Sequence, residues 1–587
     1  MKIPHLGRYS ILAIILWAIG ILVVAQMFRV QHSASAKALL EQAKRFEGYP
    51  ETVYPTRGSI YDRWGNLLAG NEQVYEVGVN LEMSYDPKAI ASALASAIGT
   101  DYNKTLALFS QPLTKNLQYL VLADYVTVDQ IDKLEQLKTD AAASTKKDTP
   151  TLSALTWTAH LRRSYPEGSL ASNILGFYPY KAGDSARGAF GIEEKYNDLL
   201  AGTPQVVYVV NDPLMVQETL QVPPGDSLVL TIDRAIQSSV EEILDKAVKD
   251  SGSASGTIVV MDPKTGEILA MASTPRMDLN QYWNYAEIYP IATDFDRAVM
   301  TTYEPGSVFK VLTMAAALDA GAVTPDTTFL DTGVIEIGGA YIYNWDGGAY
   351  GEQTMVGCLQ HSLNVCLTWV NKQMGPTRFY DYMRAFGIGH LTGIDLAGES
   401  YYPMHIPGDS QWYEVNLGTN SFGQGVAVTP IQMVMAISAV ANNQGKMMAP
   451  HLVKAVIENG HQYAIAPEVA GNPISAETAK TLTAMLARSL EQETQIELLD
   501  GYRVAGKTGT AEIPTPAGYS NSLTNASFVG WGPVDDPRFL VYVWLEKPQT
   551  SKWGSVVAAP VFNDVVKKLV VLMDIPPDAI RQELASK

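Results

Sequence analysis

Tyr303-Glu304-Pro305-Gly306-Ser307-Val308-Phe309-Lys310 is the stretch on which the reading of this chain turns. Pro305-Gly306 ends a loop, and an apolar run to Leu318 follows, stopped by Gly321. This pattern predicts a helix with Ser307 in its first turn. Three residues apart, Ser307 and Lys310 then share a face. The helix is apolar nearly all round, so it is expected to be buried. Burial disfavours a lysine's charged form and lowers its pKa. A serine hydroxyl needs a neutral base of that kind beside it to become a nucleophile. Ser-x-x-Lys alone is common by chance, and a capping serine with a lysine reaching to water gives the same letters.

Two further triplets strengthen it. His361-Ser362-Leu363-Asn364 falls in a helical region. Ser362 and Asn364 can point to one side of a cleft if the segment is a loop between helices. His361 is read as structural, because adjacent residues do not face each other. Gly506-Lys507-Thr508-Gly509-Thr510 reads as strand. Lys507 is a second cation, and the hydroxyls of Thr508 and Thr510 can hold a carboxylate. Residues 501–508 also spell GxxxxGK[ST], but a phosphate loop needs a helix immediately afterwards. The residues after Thr508 are strand-like and then broken by Pro514 and Pro516, so a nucleotide site is not expected. In the order Ser-x-x-Lys, Ser-x-Asn, Lys-Thr-Gly the triplets resemble the catalytic set of penicillin-binding proteins and serine β-lactamases. Leu363 stands where that set has Asp, which leaves both flanking polar groups in place.

Composition sets outer limits. The 587 residues make three or four domain-sized units. With 47% apolar and 18% charged residues, wholesale disorder is excluded. A net charge of −18 argues against gripping nucleic acid through its phosphates. Two cysteines exclude a disulfide framework or a Cys-rich metal site, and eight histidines without HExxH argue against a zinc hydrolase. Residues 9–28 carry no charge between Arg8 and Arg29, and as a helix they span roughly 30 Å, a bilayer core. Ser33-Ala34-Ser35-Ala36 would suit signal cleavage, but the run exceeds a signal core of about 7–15 residues, so an uncleaved anchor is expected. Lys2 and Arg8 precede the span and Arg29, Lys37, Lys44 and Arg45 follow it. That count does not favour an outside domain, although long domains cross largely regardless of it.

After the anchor a helical stalk is expected to about Phe46, a linker at 48–59, a strand at 74–81, a helix at 126–137 and an exposed loop at 136–150. Pro223-Pro224-Gly225-Asp226 marks the start of a large second domain. That domain opens with a helix at 233–249 and a hairpin of 256–261 with 267–273. Strands at 502–513, 526–532 and 538–545 precede a last helix at 559–573. Two strands early and three late predict one antiparallel sheet closed by distant parts of the chain. On one continuous helix Cys358 and Cys366 would stand about 12 Å apart, beyond disulfide reach. Two buried free thiols are expected unless the Ser-x-Asn motif breaks that helix.

The sequence resembles the class B penicillin-binding proteins, membrane-anchored peptidoglycan D,D-transpeptidases, from about Thr56 to the last helix. Besides the catalytic set, the resemblance rests on Arg57-Gly58-Ser59-Ile60-Tyr61-Asp62-Arg63 with Gly65-Asn66-Leu67-Leu68-Ala69. It rests also on Arg163-Ser164-Tyr165-Pro166 with Gly176, and on Gly191-Ile192-Glu193 with Tyr196. Gly266-Glu267-Ile268-Leu269-Ala270-Met271 and Gly423-Gln424-Gly425 with Thr429-Pro430 complete it. The resemblance implies a multidomain α+β chain: a cytoplasmic tail at 1–8, a transmembrane anchor at 9–28, a stalk and mixed α/β pedestal (dimerisation) domain at 29–225, a transpeptidase domain at 226–575 and a tail at 576–587. The transpeptidase domain would be penicillin-binding/β-lactamase-like, a five-stranded antiparallel sheet flanked by helices.

The resemblance also implies roles. Ser307 would attack a stem peptide's penultimate D-alanine, with Lys310 taking its proton. Ser362 and Asn364 would relay protons and position the substrate. Lys507, Thr508, Gly509 and Thr510 would hold the terminal carboxylate, and the backbone N–H groups of Ser307 and Thr510 would form an oxyanion hole. β-Lactams would acylate the same serine. No cofactor, metal or nucleic acid is implied, and no glycosyltransferase region is expected, because the N-terminal part resembles the pedestal. The catalytic part would lie outside the cytoplasmic membrane, beside a SEDS-family glycan polymerase and other wall-synthesis membrane proteins. A D,D-carboxypeptidase or β-lactamase-like hydrolase, or a silent β-lactam sensor or scaffold, are the alternatives.

Overall fold

The computed structural model describes residues 7–39, 48–110, 117–143, 152–179, 186–210, 222–493, 497–515 and 518–586. The chain forms two compact units, residues 1–56 with 201–225, and residues 57–200 with 226–587. In the first, the helix Arg8–Gln31 is long and apolar enough to cross a membrane. The expected linker is corrected there: Gly48–Val53 is a strand paired antiparallel with Gln205–Val210. The partner is rich in valine, which favours a strand, and a two-stranded ribbon tolerates a proline where its missing N–H would face outward. The last part of the expected stalk, 40–46, lies outside the described residues.

In the larger unit, a seven-stranded sheet runs in the order His461–Ala464, Val453–Glu458, Ser227–Leu230, Ile60–Tyr61, Leu67–Asn80, Tyr119–Val126, with Leu155–Ser164 also paired to Leu67–Asn80. The strand expected at 74–81 thus begins earlier. The helix expected at 126–137 is Val128–Ala143, which takes up half of the expected loop; 144–150 lies outside the described residues. Arg57 and Arg163, from separate segments, both grip the fully buried Glu193, through Nε–Oε2 and Nε–Oε1 contacts of 2.7 and 2.6 Å. Burial alone would raise the Glu193 pKa, but the two guanidiniums outweigh it and the net shift is downward. Trp64 Nε1 donates to Asp233 (2.7 Å) and Arg63 to Glu267 (3.1 Å), tying this region to the catalytic one.

The sheet behind the site comprises β1 (Ser255–Met261), β2 (Ile268–Ser273), β3 (Ala505–Thr515), β4 (Gly518–Gly532) and β5 (Phe539–Glu546). Its order is β3-β4-β5-β1-β2, antiparallel throughout. Alternate residues divide between two cores. Ile258, Val260, Val541 and Val543 pack with α1 (Arg234–Ser251) and, from the chain's end, the helix Ala559–Leu572. Val259, Met261, Tyr542 and Trp544 face the other core. That core holds α2 (Lys310–Asp319), α3 (Met355–Gln360), α4 (Asn364–Met374), α5 (Pro430–Ala441) and α6 (Ala476–Glu491). Asp233 caps α1 by accepting from the N–H groups of Ala235 and Ile236. All twelve residues of α5 are buried, and it packs on β5, β1 and α2, while α6 packs on β3. β3 is an edge strand, and its free edge borders a cleft.

Candidate active site

Ser307 does not begin an α-helix. Gly306–Phe309 is a 3-10 turn, and α2 starts at Lys310. In a 3-10 turn residues i and i+3 eclipse, which sets Ser307 and Lys310 more directly over one another than an α-turn would. The close fit of this turn to β3 rests on glycine. A Cβ on Gly509 would come within 2.2 Å of Ser527 Oγ and 3.0 Å of Val308, and Gly306 has φ +61°, with Ala511 2.9 Å from where its Cβ would be.

Lys310 is fully buried. Its Nζ donates to the Ser362 carbonyl (2.6 Å) and Asn364 Oδ1 (2.8 Å), and lies 3.2 Å from Ser362 Oγ. Burial pushes its pKa well below the ordinary lysine value, and the charge of Lys507 acts in the same direction. A neutral amine has two N–H bonds and one lone pair. The two carbonyl-type oxygens take the first, and a hydroxyl proton can fill the second. The same atoms that surround the ammonium therefore also satisfy the free base.

Ser362 sits where α3 stops. Its φ is +52°, in the left-handed region that a side chain other than glycine's seldom adopts. The Ser362 N–H bonds to the Leu359 carbonyl and the Leu363 N–H to the Cys358 carbonyl, the paired bonds of a helix end normally closed by glycine. α4 then begins at Asn364, so the motif does break the helix. The free-thiol expectation is corrected: Cys358 and Cys366 form a disulfide with Cα atoms 6.0 Å apart. The reversal of direction at 361–363 brings together positions that a continuous helix would separate. Asn344 holds the far side, accepting from the Val365 N–H (3.2 Å), while Asn364 Nδ2 donates to the Tyr343 carbonyl (3.2 Å).

Lys507 lies in β3, 3% exposed, with Nζ 3.2 Å from Thr508 Oγ1. Burial lowers its pKa to about 8, and the Glu493 carboxylate pulls it partly back. Thr510 Oγ1 accepts from the Gly554 N–H (3.0 Å), which leaves its own proton free to donate to an anion. β3 continues through Thr508 to Thr515 without a helix, so the helix N-terminus that a phosphate loop requires does not follow these residues.

Ser307, Ser362, Lys507, Thr508 and Thr510 line one cavity of about 440 Å³, with Lys310 beneath. A neighbouring cavity of about 350 Å³ reaches Asn364, Gln424 and Glu512, and Thr510, Trp345 and Trp553 border both. The two indoles meet edge to face with centroids 5.0 Å apart, and Trp345 Nε1 donates to the His361 carbonyl (3.1 Å). The motifs named neither tryptophan. Trp345 in Asn344-Trp345-Asp346-Gly347-Gly348, a large aromatic in a turn-forming sequence, was the available signal. Glu493 and Tyr350 also face the first cavity and carry no sequence signal of their own.

A buried lysine base, a hydroxyl in a cleft and a cation with hydroxyls on an edge strand form an arrangement suited to acyl transfer at a peptide bond next to a carboxylate. Residues 256–567 match the penicillin binding protein transpeptidase domain, and residues 52–230 the penicillin-binding protein dimerisation domain. Stage V sporulation protein D of Bacillus subtilis is 31% identical, over 89% of this chain and 79% of its own length. Peptidoglycan D,D-transpeptidase FtsI of Escherichia coli is 28% identical, over 90% and 86%. The crystal structure of penicillin-binding protein 3 of Mycobacterium tuberculosis complexed with aztreonam superposes with a TM-score of 0.67 at 25% identity, covering 90% of this chain and 98% of that one. By the match of its two domains and of its relatives over most of their length, the chain belongs to the class B penicillin-binding proteins.

Proposed function

We propose that the protein is a serine D,D-transpeptidase that cross-links peptidoglycan stem peptides. The observation that carries this reading is the buried Lys310 amine, held by Ser362 and Asn364 below a cavity that Ser307 and Lys507 line. Lys310 takes the Ser307 proton as Oγ attacks the penultimate D-alanine carbonyl. The C–N bond breaks, and the terminal D-alanine leaves with a proton delivered through Lys310 and Ser362. General-base help of this kind contributes about 10²–10⁴-fold. The N–H groups of Ser307 and Thr510 serve as the oxyanion hole, each donor worth about 2.7–4 kcal/mol of barrier. Lys507, Thr508 and Thr510 hold the terminal carboxylate, with Gly509 admitting the close approach. A neighbouring stem's amine then takes the acyl group.

β-Lactams fit the same chemistry, and relatives are named for penicillin binding and D,D-transpeptidation. The helix Arg8–Gln31 is assigned as a single-pass anchor with the catalytic region on the extracytoplasmic side, where stem peptides lie. Anchor and pedestal are assigned to contact a SEDS-family glycan polymerase. The experiment is product analysis with a pentapeptide donor and an amine-bearing acceptor. Cross-linked dimer with one D-alanine released per bond is expected, and none from Ser307→Ala. Release of D-alanine with free tetrapeptide alone would overturn the reading in favour of hydrolysis.

A further inference from the structure

The anion clamp has an unexpected neighbour. Among the described residues lining the cavity that contains Ser307, Glu493 is the one carboxylate and Lys507 the one ammonium. A carboxylate beside a site built to hold a carboxylate weakens the field that site needs. It does partly restore the charge on Lys507, whose pKa burial depresses. The same cavity is lined, besides the clamp, by the end of α6 (Ser489, Leu490, Glu493), the end of α3 (Leu359, Gln360), Tyr350 and Val556. A terminal D-alanine does not use so much room.

The transpeptidation proposed above supplies an occupant, and the assignment of that occupant rests on the transpeptidase reading. The acyl-enzyme carbonyl is attacked along the path by which the first amine left, because the two half-reactions pass through the same kind of tetrahedral species in opposite directions. The incoming amine must therefore occupy the leaving D-alanine's place, beside Lys507, and whatever carries it must extend away from Ser307 through the rest of this cavity. In neutral water that amine arrives as an ammonium. We propose that the part of the cavity beyond Lys507 is the acceptor channel and that Glu493 supplies the counter-charge that draws the acceptor ammonium in, next to the clamp. The ligand class is a primary amine, best matched when a carboxylate lies next to it, since Lys507 and Glu493 then meet both charges.

In the transfer step the ammonium loses one proton to solvent, and the nitrogen lone pair forms the new C–N bond. The C–Oγ bond to Ser307 breaks with its electron pair on Oγ, and the second nitrogen proton reaches Oγ through Lys310. Glu493 touches the acceptor and not the reacting bond.

The test uses the full chain in detergent with an acyl donor, labelled D-methionine as an acceptor whose side chain reaches beyond the space of a D-alanine, and water as competitor. It compares wild type, Glu493→Gln and Glu493→Asp for two quantities: the acylation rate with a fluorescent penicillin, and the acceptor concentration that diverts half of the acyl-enzyme from hydrolysis. Losing one charge-assisted contact predicts that Glu493→Gln raises that concentration about 10-fold more than it changes acylation, with Glu493→Asp intermediate. Equal changes in both would place Glu493 behind Lys507 as a tuning charge and overturn the channel, as would an unchanged half-diverting concentration. Wild type that forms no acyl-enzyme would overturn the transpeptidase reading itself.

Discussion

At Lys310 burial and hydrogen bonding pull in different directions. Three oxygens lie within 3.2 Å of Nζ, yet its pKa is held well below the usual lysine value by burial first and by Lys507 second. A base whose pKa is lowered is free over more of the acid range, so acylation falls only as pH drops through that lowered value. On the proposed assignment Lys507 sets the other limb: with a pKa of about 8 it loses its charge, and with it the hold on a carboxylate, as pH rises above that. The acylation rate against pH, followed with a fluorescent penicillin, is expected to be bell-shaped with an alkaline limb near 8. Lys507→Arg should move that limb to higher pH, because arginine keeps its charge. At Ser362, with φ +52°, Ser362→Gly and Ser362→Ala should both acylate slowly, but the glycine variant should unfold roughly 1 kcal/mol harder in denaturant. The residue types of the site were legible from three triplets; the left-handed turn at Ser362 was not, because nothing in Ser-Leu-Asn favours it over helix.

That turn explains what was missed at the scale of elements. α3 and α4 read as one helical stretch, since Cys358 through Cys366 lacks the glycine or proline that usually marks a break. Tertiary contacts impose the break: the Ser362 carbonyl turns to Lys310, Asn344 accepts from the Val365 N–H, and the disulfide closes the loop. A disulfide spanning eight residues is worth about 2.5 kcal/mol by loop entropy. Cys358→Ser with Cys366→Ser should lower stability by about that amount, measured by denaturant unfolding under oxidising conditions, with reduction of the wild type giving a similar loss. The hairpin, the three late strands and the last helix were legible because turn residues bracket strongly apolar runs. Gly48–Val53 was not, because its strand character comes from a partner about 150 residues away.

Across the whole molecule, the pedestal segments that resembled a family signature converge on one carboxylate. Arg57 and Arg163 enclose Glu193, and Tyr165 OH lies 3.3 Å from it. Glu193→Ala strands two buried guanidiniums and is expected to cost about 3–5 kcal/mol of stability. Because the Glu193 pKa is lowered on folding, its contribution is present above the unfolded carboxylate value and is lost as pH falls through the folded one. The destabilisation by Glu193→Ala should therefore shrink in acid, which thermal unfolding between neutral and low pH would show. Such cross-chain pairs are invisible to periodicity, whereas the order of the catalytic triplets along the chain is not.

The site at which a β-lactam attaches tests the assignment of Ser307 most directly. Treating the purified full chain with penicillin, digesting it and mapping the adduct by mass spectrometry should place one acyl group on the peptide containing Ser307, absent from Ser307→Ala. An adduct on another residue, or equal labelling of the variant, would contradict it.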